Sequence, residues 1–188
     1  MKKGCFRGFI VLMLLAVVIV GFGPKLLEFG LKEYYPQKYT EIVEENAEKN
    51  QLDANLVYAV IHTESKFKEN AESGAGACGL MQLTPETYEW VLTHDAVNIP
   101  EGGSVWEPEN NIEAGTSLLR FLWNHYGSLD VALSAYNAGM GNVTKWLEDK
   151  KYSGDGKTLD SIPFPETEKY VEKVRFTYRI YQRLYGEQ

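Results

Sequence analysis

The chain is 188 residues long with 19 basic and 26 acidic side chains, a net charge of −7, and its first 24 residues hold three basic and no acidic groups, leaving −10 on the remainder. So acidic a body argues against nucleic acid and anionic lipid headgroups as ligands, because both are gripped through Lys and Arg. The length fits one domain plus an appendage, and 44% apolar content is that of an ordinary globular core.

Residues 1–24 read as a separate object. Lys2, Lys3 and Arg7 precede an uncharged apolar run from Gly8 to Gly23, either a signal peptide or a retained anchor. Val18-Ile19-Val20-Gly21-Phe22-Gly23 offers no small-residue cleavage site, which favours a single transmembrane helix. Basic residues on its N-terminal side keep that end in the cytoplasm and export the rest, or secrete it if the segment is cleaved. Residues 25–35 then form a juxtamembrane spacer or short helix, and residues 36–188 the folded domain.

Within that domain, Tyr39, Ile42, Val43 and Ala47 mark a first amphipathic helix ending by Asn50. Asp53 caps a second, in which Leu56, Val57, Val60 and Ile61 form an apolar stripe; continuing it lands on Glu64. An acid there is partly desolvated, which raises its pKa toward the range a proton donor needs. The alternative is a helix-end Glu that reaches water or pairs with Lys66 or Lys68. Glu69 to Cys78 is a glycine-bearing loop. Thr84-Pro85-Glu86 starts a helix carrying Tyr88, Trp90, Val91 and Leu92, and His94 to Val105 is a surface connection.

After Pro108 a longer helix runs through Ile112, Leu118, Leu119 and Leu122 to Gly127. Ser128 caps the helix that leads into Tyr136-Asn137-Ala138-Gly139, and Gly141-Asn142-Val143 opens a short helix through Trp146. Lys150 to Ser161 is a polar loop. A last helix begins near Glu166 and places Val171, Val174, Tyr178, Tyr181 and Tyr185 on one stripe. Strand signal is scarce, so the class is mainly α.

Cys5 and Cys78 fall on opposite sides of the membrane in this topology and cannot pair; Cys78 reads as a small buried apolar residue. His62, His94 and His125 lack ligand spacing, so neither a metal nor a cofactor is expected.

Four segments stand in a telling order: Glu64-Ser65-Lys66-Phe67, Gly79-Leu80-Met81-Gln82-Leu83, Ala135-Tyr136-Asn137-Ala138-Gly139, and Glu166-Thr167-Glu168-Lys169-Tyr170-Val171. In that order and at those separations the chain resembles the soluble-lytic-transglycosylase (SLT) family of peptidoglycan-cleaving enzymes, over roughly Tyr39 to Tyr185. The resemblance implies a lysozyme-like fold of the goose-type/SLT kind. It implies cleavage between N-acetylmuramic acid and N-acetylglucosamine, with Glu64 as acid and then base, and closure of the muramic sugar to a 1,6-anhydro ring without water. A muramidase on the same fold and an inactive wall-binding module are the competing readings.

The resemblance also implies a substrate-binding set. Gly79 permits close backbone approach, Gly79 to Leu83 forms a wall of the cleft with Met81 and Gln82 near substrate, and Ser73 contacts substrate or orients the acid. Tyr136 and Asn137 sit at the end of a helix, the Tyr136 hydroxyl reaching the catalytic carboxyl, while Glu166 and Tyr170 close the floor. The implied partners are glycan strands, the membrane through the N-terminal helix, and cell-wall or secretion machinery. Two positions depart from the family pattern: Glu168 stands where Arg is common, and Cys78 where Ser or Ala is.

Overall fold

The computed structural model describes residues 13, 20–94 and 97–186, and the chain divides into two compact units, Met1–Pro36 and Gln37–Gln188. In the first, residues 20–34 are helical (α1). Phe22, Leu26, Leu27 and Phe29 are exposed on it, and Lys32 pairs with Glu28 one turn away at 2.7 Å. No helix among the described residues is long and apolar enough to cross a membrane. The expected transmembrane run, Gly8 to Gly23, lies largely outside the described residues.

The second unit is helical, with α2 (Thr40–Lys49), α3 (Ala54–Glu64), α4 (Pro85–His94), α5 (Pro108–Tyr126), α6 (Leu129–Ala138), α7 (Met140–Glu148) and α8 (Pro165–Tyr185). Extended pairing among the described residues is limited to two isolated bridges, Glu72 with Cys78 and Cys78 with Leu83, both in the loop between α3 and α4. Proline at the first turn opens α5 and α8, where its missing N–H costs nothing. Gly127 closes α5 at φ 68. Ser128 occupies the N-cap of α6 but makes no side-chain cap bond.

The middle of α3 is not amphipathic, and here the structure departs from the stripe read in the sequence. Every residue from Leu56 to His62 is buried, so the helix is wrapped on all sides. Val57, Val60 and Ile61 are β-branched, a mild handicap in a helix. Burial of each contributes about 1.5–3 kcal/mol, which overrides it.

The most extensive partner of α3 is α8, and α2 packs on it as well. Asp53 tethers one end of the α3–α8 pair. Its Oδ1 accepts from Asn55 N at 2.8 Å, capping α3, and its Oδ2 accepts from Tyr178 Oη at 2.6 Å and Gln182 Nε2 at 3.3 Å on α8. At the other end Lys173 Nζ donates to Thr63 O at 3.2 Å. Two ties at opposite ends fix the axial register, and that register sets Glu64 beside the first turns of α8. Tyr178 is therefore a tether at the edge of the stripe, and the buried position there is Thr177.

Candidate active site

Beyond Glu64 the backbone turns sharply. Lys66 and Phe67 adopt φ 53 and 61, a left-handed conformation that is costly for non-glycine residues and survives where surrounding packing compels it. The compelling contact is Phe67, which is buried against Tyr58 and His62 at ring separations of 6.4 and 6.3 Å. This turn ends α3 at Glu64 and leaves its carboxyl at the base of a cleft of about 630 Å³.

Asn111, in the first turn of α5, holds the facing wall and escaped the sequence reading. It is fully buried; Oδ1 accepts from Met81 N at 2.7 Å, while Nδ2 donates to Cys78 O at 3.0 Å and Val105 O at 2.8 Å. One amide thus satisfies three buried backbone groups. Gly79 lies against it at φ 78, where an added Cβ would fall 2.5 Å from Asn111 Nδ2. The signal in the sequence was a polar pair, Asn110-Asn111, running into the apolar stripe of α5.

Of the nine residues singled out from the sequence, Glu64, Ser73, Gln82, Tyr136, Asn137 and Glu166 line the cleft. Gly79 and Met81 are not among its lining residues. Gly79 is buried behind the wall, and the Met81 side chain is fully buried against Gly115 and Thr116. Their roles pass through the backbone: Gly79 O accepts from Gln82 and Met81 O accepts from Tyr136. Tyr170 is buried at the floor beside Glu64.

Hydrogen bonding decides which faces the polar groups can offer. Gln82 Nε2 donates to Ala71 O at 2.9 Å and Gly79 O at 2.8 Å, so only its carbonyl oxygen is left as an acceptor for a ligand. Ser73 Oγ accepts from Ala77 N at 3.0 Å and Ala75 N at 3.3 Å, bracing its loop and leaving the hydroxyl proton to donate. Asn137 Oδ1 accepts from Thr167 Oγ1 at 2.8 Å, which leaves its amide N–H groups as donors.

The two tyrosines divide between opposite tasks. Tyr136 Oη donates to Met81 O at 2.9 Å, so its proton is committed there and not, as the sequence suggested, to the Glu64 carboxyl. The reason is that a buried carbonyl needs a donor. Toward Glu64, Tyr136 can present only lone pairs. Tyr170 Oη is buried and closes no hydrogen bond of full geometry, yet it lies close enough to Glu64 to favour the carboxylate as a donor.

Burial pushes the Glu64 carboxyl up from 4.5 to about 7, with Tyr170 and the Lys173 ammonium pulling the other way. Both phenols are in turn held well above their ordinary range by burial and by the Glu64 charge. Glu166 is exposed at the cleft edge.

The chain that carries this cleft is similar to known proteins. Residues 41–158 match the model of the transglycosylase SLT domain family, a span that includes Glu64, Gln82 and Tyr136 but stops short of Glu166 and Tyr170. The chain is 31% identical over 160 residues to the soluble lytic murein transglycosylase of Salmonella typhimurium, covering 84% of this chain and 25% of that protein. It is 30% identical over 168 residues to the membrane-bound lytic murein transglycosylase C of Yersinia enterocolitica, covering 78% and 47%.

Among solved structures, the 70 kDa soluble lytic transglycosylase of Escherichia coli superposes with a TM-score of 0.68 at 26% identity, over 84% of this chain and 26% of that one. An inactive Glu-to-Gln mutant of lytic transglycosylase Slt from Pseudomonas aeruginosa gives the same TM-score at 30% identity over the same shares. The expected mainly helical, lysozyme-like fold is thereby established. The chain spans about a quarter to a half of the length of the curated relatives described.

Proposed function

Because the chain belongs to the transglycosylase SLT domain family, we propose that it is a peptidoglycan lytic transglycosylase, with Glu64 serving as both acid and base. The observation that carries this reading is a single carboxyl at the base of the cleft, poised near neutrality by burial. A group of pKa about 7 is half protonated at neutral pH, which suits one residue that must give a proton and then take one.

The protonated carboxyl donates to the glycosidic oxygen as the C1–O bond breaks, leaving an oxocarbenium-like centre on N-acetylmuramic acid. The resulting carboxylate removes the proton from the C6 hydroxyl of the same sugar, whose oxygen bonds to C1. Glu64 ends protonated, the product carries a 1,6-anhydro ring, and no water is consumed. Tyr136, offering lone pairs only, favours the acid form before the first step. Tyr170 and Lys173 favour the carboxylate that the second step needs. The acceptor oxygen of Gln82 and the donors of Ser73 and Asn137 suit a ligand bearing both hydroxyl and acetamido groups.

The reading also retains Gly8–Gly23 as a membrane anchor, with the catalytic unit on the outer side. Lys2, Lys3 and Arg7 on its flank support it, as does the existence of a membrane-bound relative. Recovery of the 188-residue chain in the membrane fraction, lost when residues 1–24 are deleted, is the outcome expected.

Activity is tested by digesting purified glycan strands and weighing the fragments. Ends lighter by one water than hydrolysed reducing ends are expected; reducing ends alone would assign a muramidase.

A further inference from the structure

The cleft at Glu64 does not stop at the reacting carboxyl. It shares Tyr136 and Gly139 with a recess of about 380 Å³ beneath α4, and Asn137 and Glu166 with a recess of about 480 Å³ at the start of α8. The two recesses share no residue with each other, and each adjoins the cleft that Glu64 lines.

Each arm has a rigid aromatic wall. On the α8 side Phe164 is 45% exposed, although a ring of that size is normally covered. Trp146 meets it edge-on at 4.9 Å and 78°, and Pro165 fixes the backbone that follows. Beside it, Asn137 has its oxygen tied to Thr167 and its amide donors left over. On the α4 side Trp90 is braced by Phe121 at 5.0 Å and by His94, stacked at 4.6 Å. Preset aromatic faces interleaved with polar groups suit pyranose rings, which are apolar on their faces and polar at their rims.

We propose that the glycan strand runs through all three recesses, with N-acetylhexosamine rings resting on Phe164 at one end and against Trp90 at the other, so that the chain cuts within strands. This rests on the transglycosylase reading and adds the mode of attack. Both recesses are open to solvent, so a strand can continue past either arm and neither arm calls for a strand end.

The test digests long, uncross-linked glycan strands with the 188-residue chain, sampling early and sizing the products by mass. Fragments of many lengths bearing anhydro ends are expected before disaccharides accumulate. Disaccharide units released from the outset would overturn the through-groove proposal while leaving the chemistry intact; no anhydro ends at any length would overturn both.

Phe164→Ala should lower kcat/KM on long strands about tenfold relative to its effect on a short oligosaccharide, the worth of one ring face. Phe164→Leu, which keeps apolar bulk against Trp146 without a flat face, should show the same differential and an unchanged melting temperature. Equal losses on long and short substrates would count against the Phe164 subsite.

Discussion

Replacing Glu64 by Gln should make the protein more stable as well as inactive, and the gain should depend on pH. Burial raises the carboxyl pKa from 4.5 to about 7, so the folded state binds a proton that the unfolded chain releases. Below pH 4.5 both states are protonated and the site costs nothing. As pH climbs toward 7 the unfolded chain ionises first, and native stability falls with it. Above pH 7 the loss is complete, at about 3 kcal/mol for a rise from 4.5 to about 7.

The Glu64→Gln side chain is neutral throughout and escapes this penalty. In a unit of this size the difference amounts to about 6–12 °C in melting temperature at about pH 8–9, shrinking to almost nothing at about pH 4. Thermal or urea unfolding of both proteins across that range measures it. Turnover of glycan strands by the variant should fall by about 10²–10⁴-fold, the usual worth of a positioned acid–base group. Equal stability of the two proteins at about pH 8–9 would mean that the carboxyl is well solvated and holds no displaced proton.

Tyr170→Phe removes a donor that favours the Glu64 carboxylate, so the alkaline limb of the pH–rate profile should move to higher pH; a downward move would refute the assignment. Lys173→Met should shift the same limb the same way, since it removes a nearby positive charge. Gly79→Ala forces a side chain into φ 78 and against Asn111, and should cost about 2–4 kcal/mol in urea unfolding. Asn111→Leu strands Met81 N, Cys78 O and Val105 O, and should cost about 3–5 kcal/mol, with the cleft wall disordered in amide hydrogen exchange.

Local rules carried the helices a long way. Pro85, Pro108 and Pro165 mark helix starts, Gly127 a helix end, and Asp53 a cap, each because a single residue settles a backbone group within a few positions of itself. The same locality misled where partners came from afar. Ser128 does stand at the N-cap of α6 though its side chain makes no cap bond, and α3 looked amphipathic because a sequence stripe cannot register that α2 and α8 cover its remaining faces.

By itself, the sequence determined that the chain is mainly helical, that it carries the ordered segments of one enzyme family, and that Glu64 is its prime candidate acid, since periodicity and motif order are properties of the linear chain. Tertiary structure decided what surrounds that acid. Tyr136 gives its proton to Met81, 55 positions away. Tyr170 is brought to Glu64 by the register of α8 on α3, and Asn111 holds the opposite wall from 30 residues distant. Hydrogen-bond direction and desolvation arise only when remote groups meet, and the chemistry of this carboxyl is set by both.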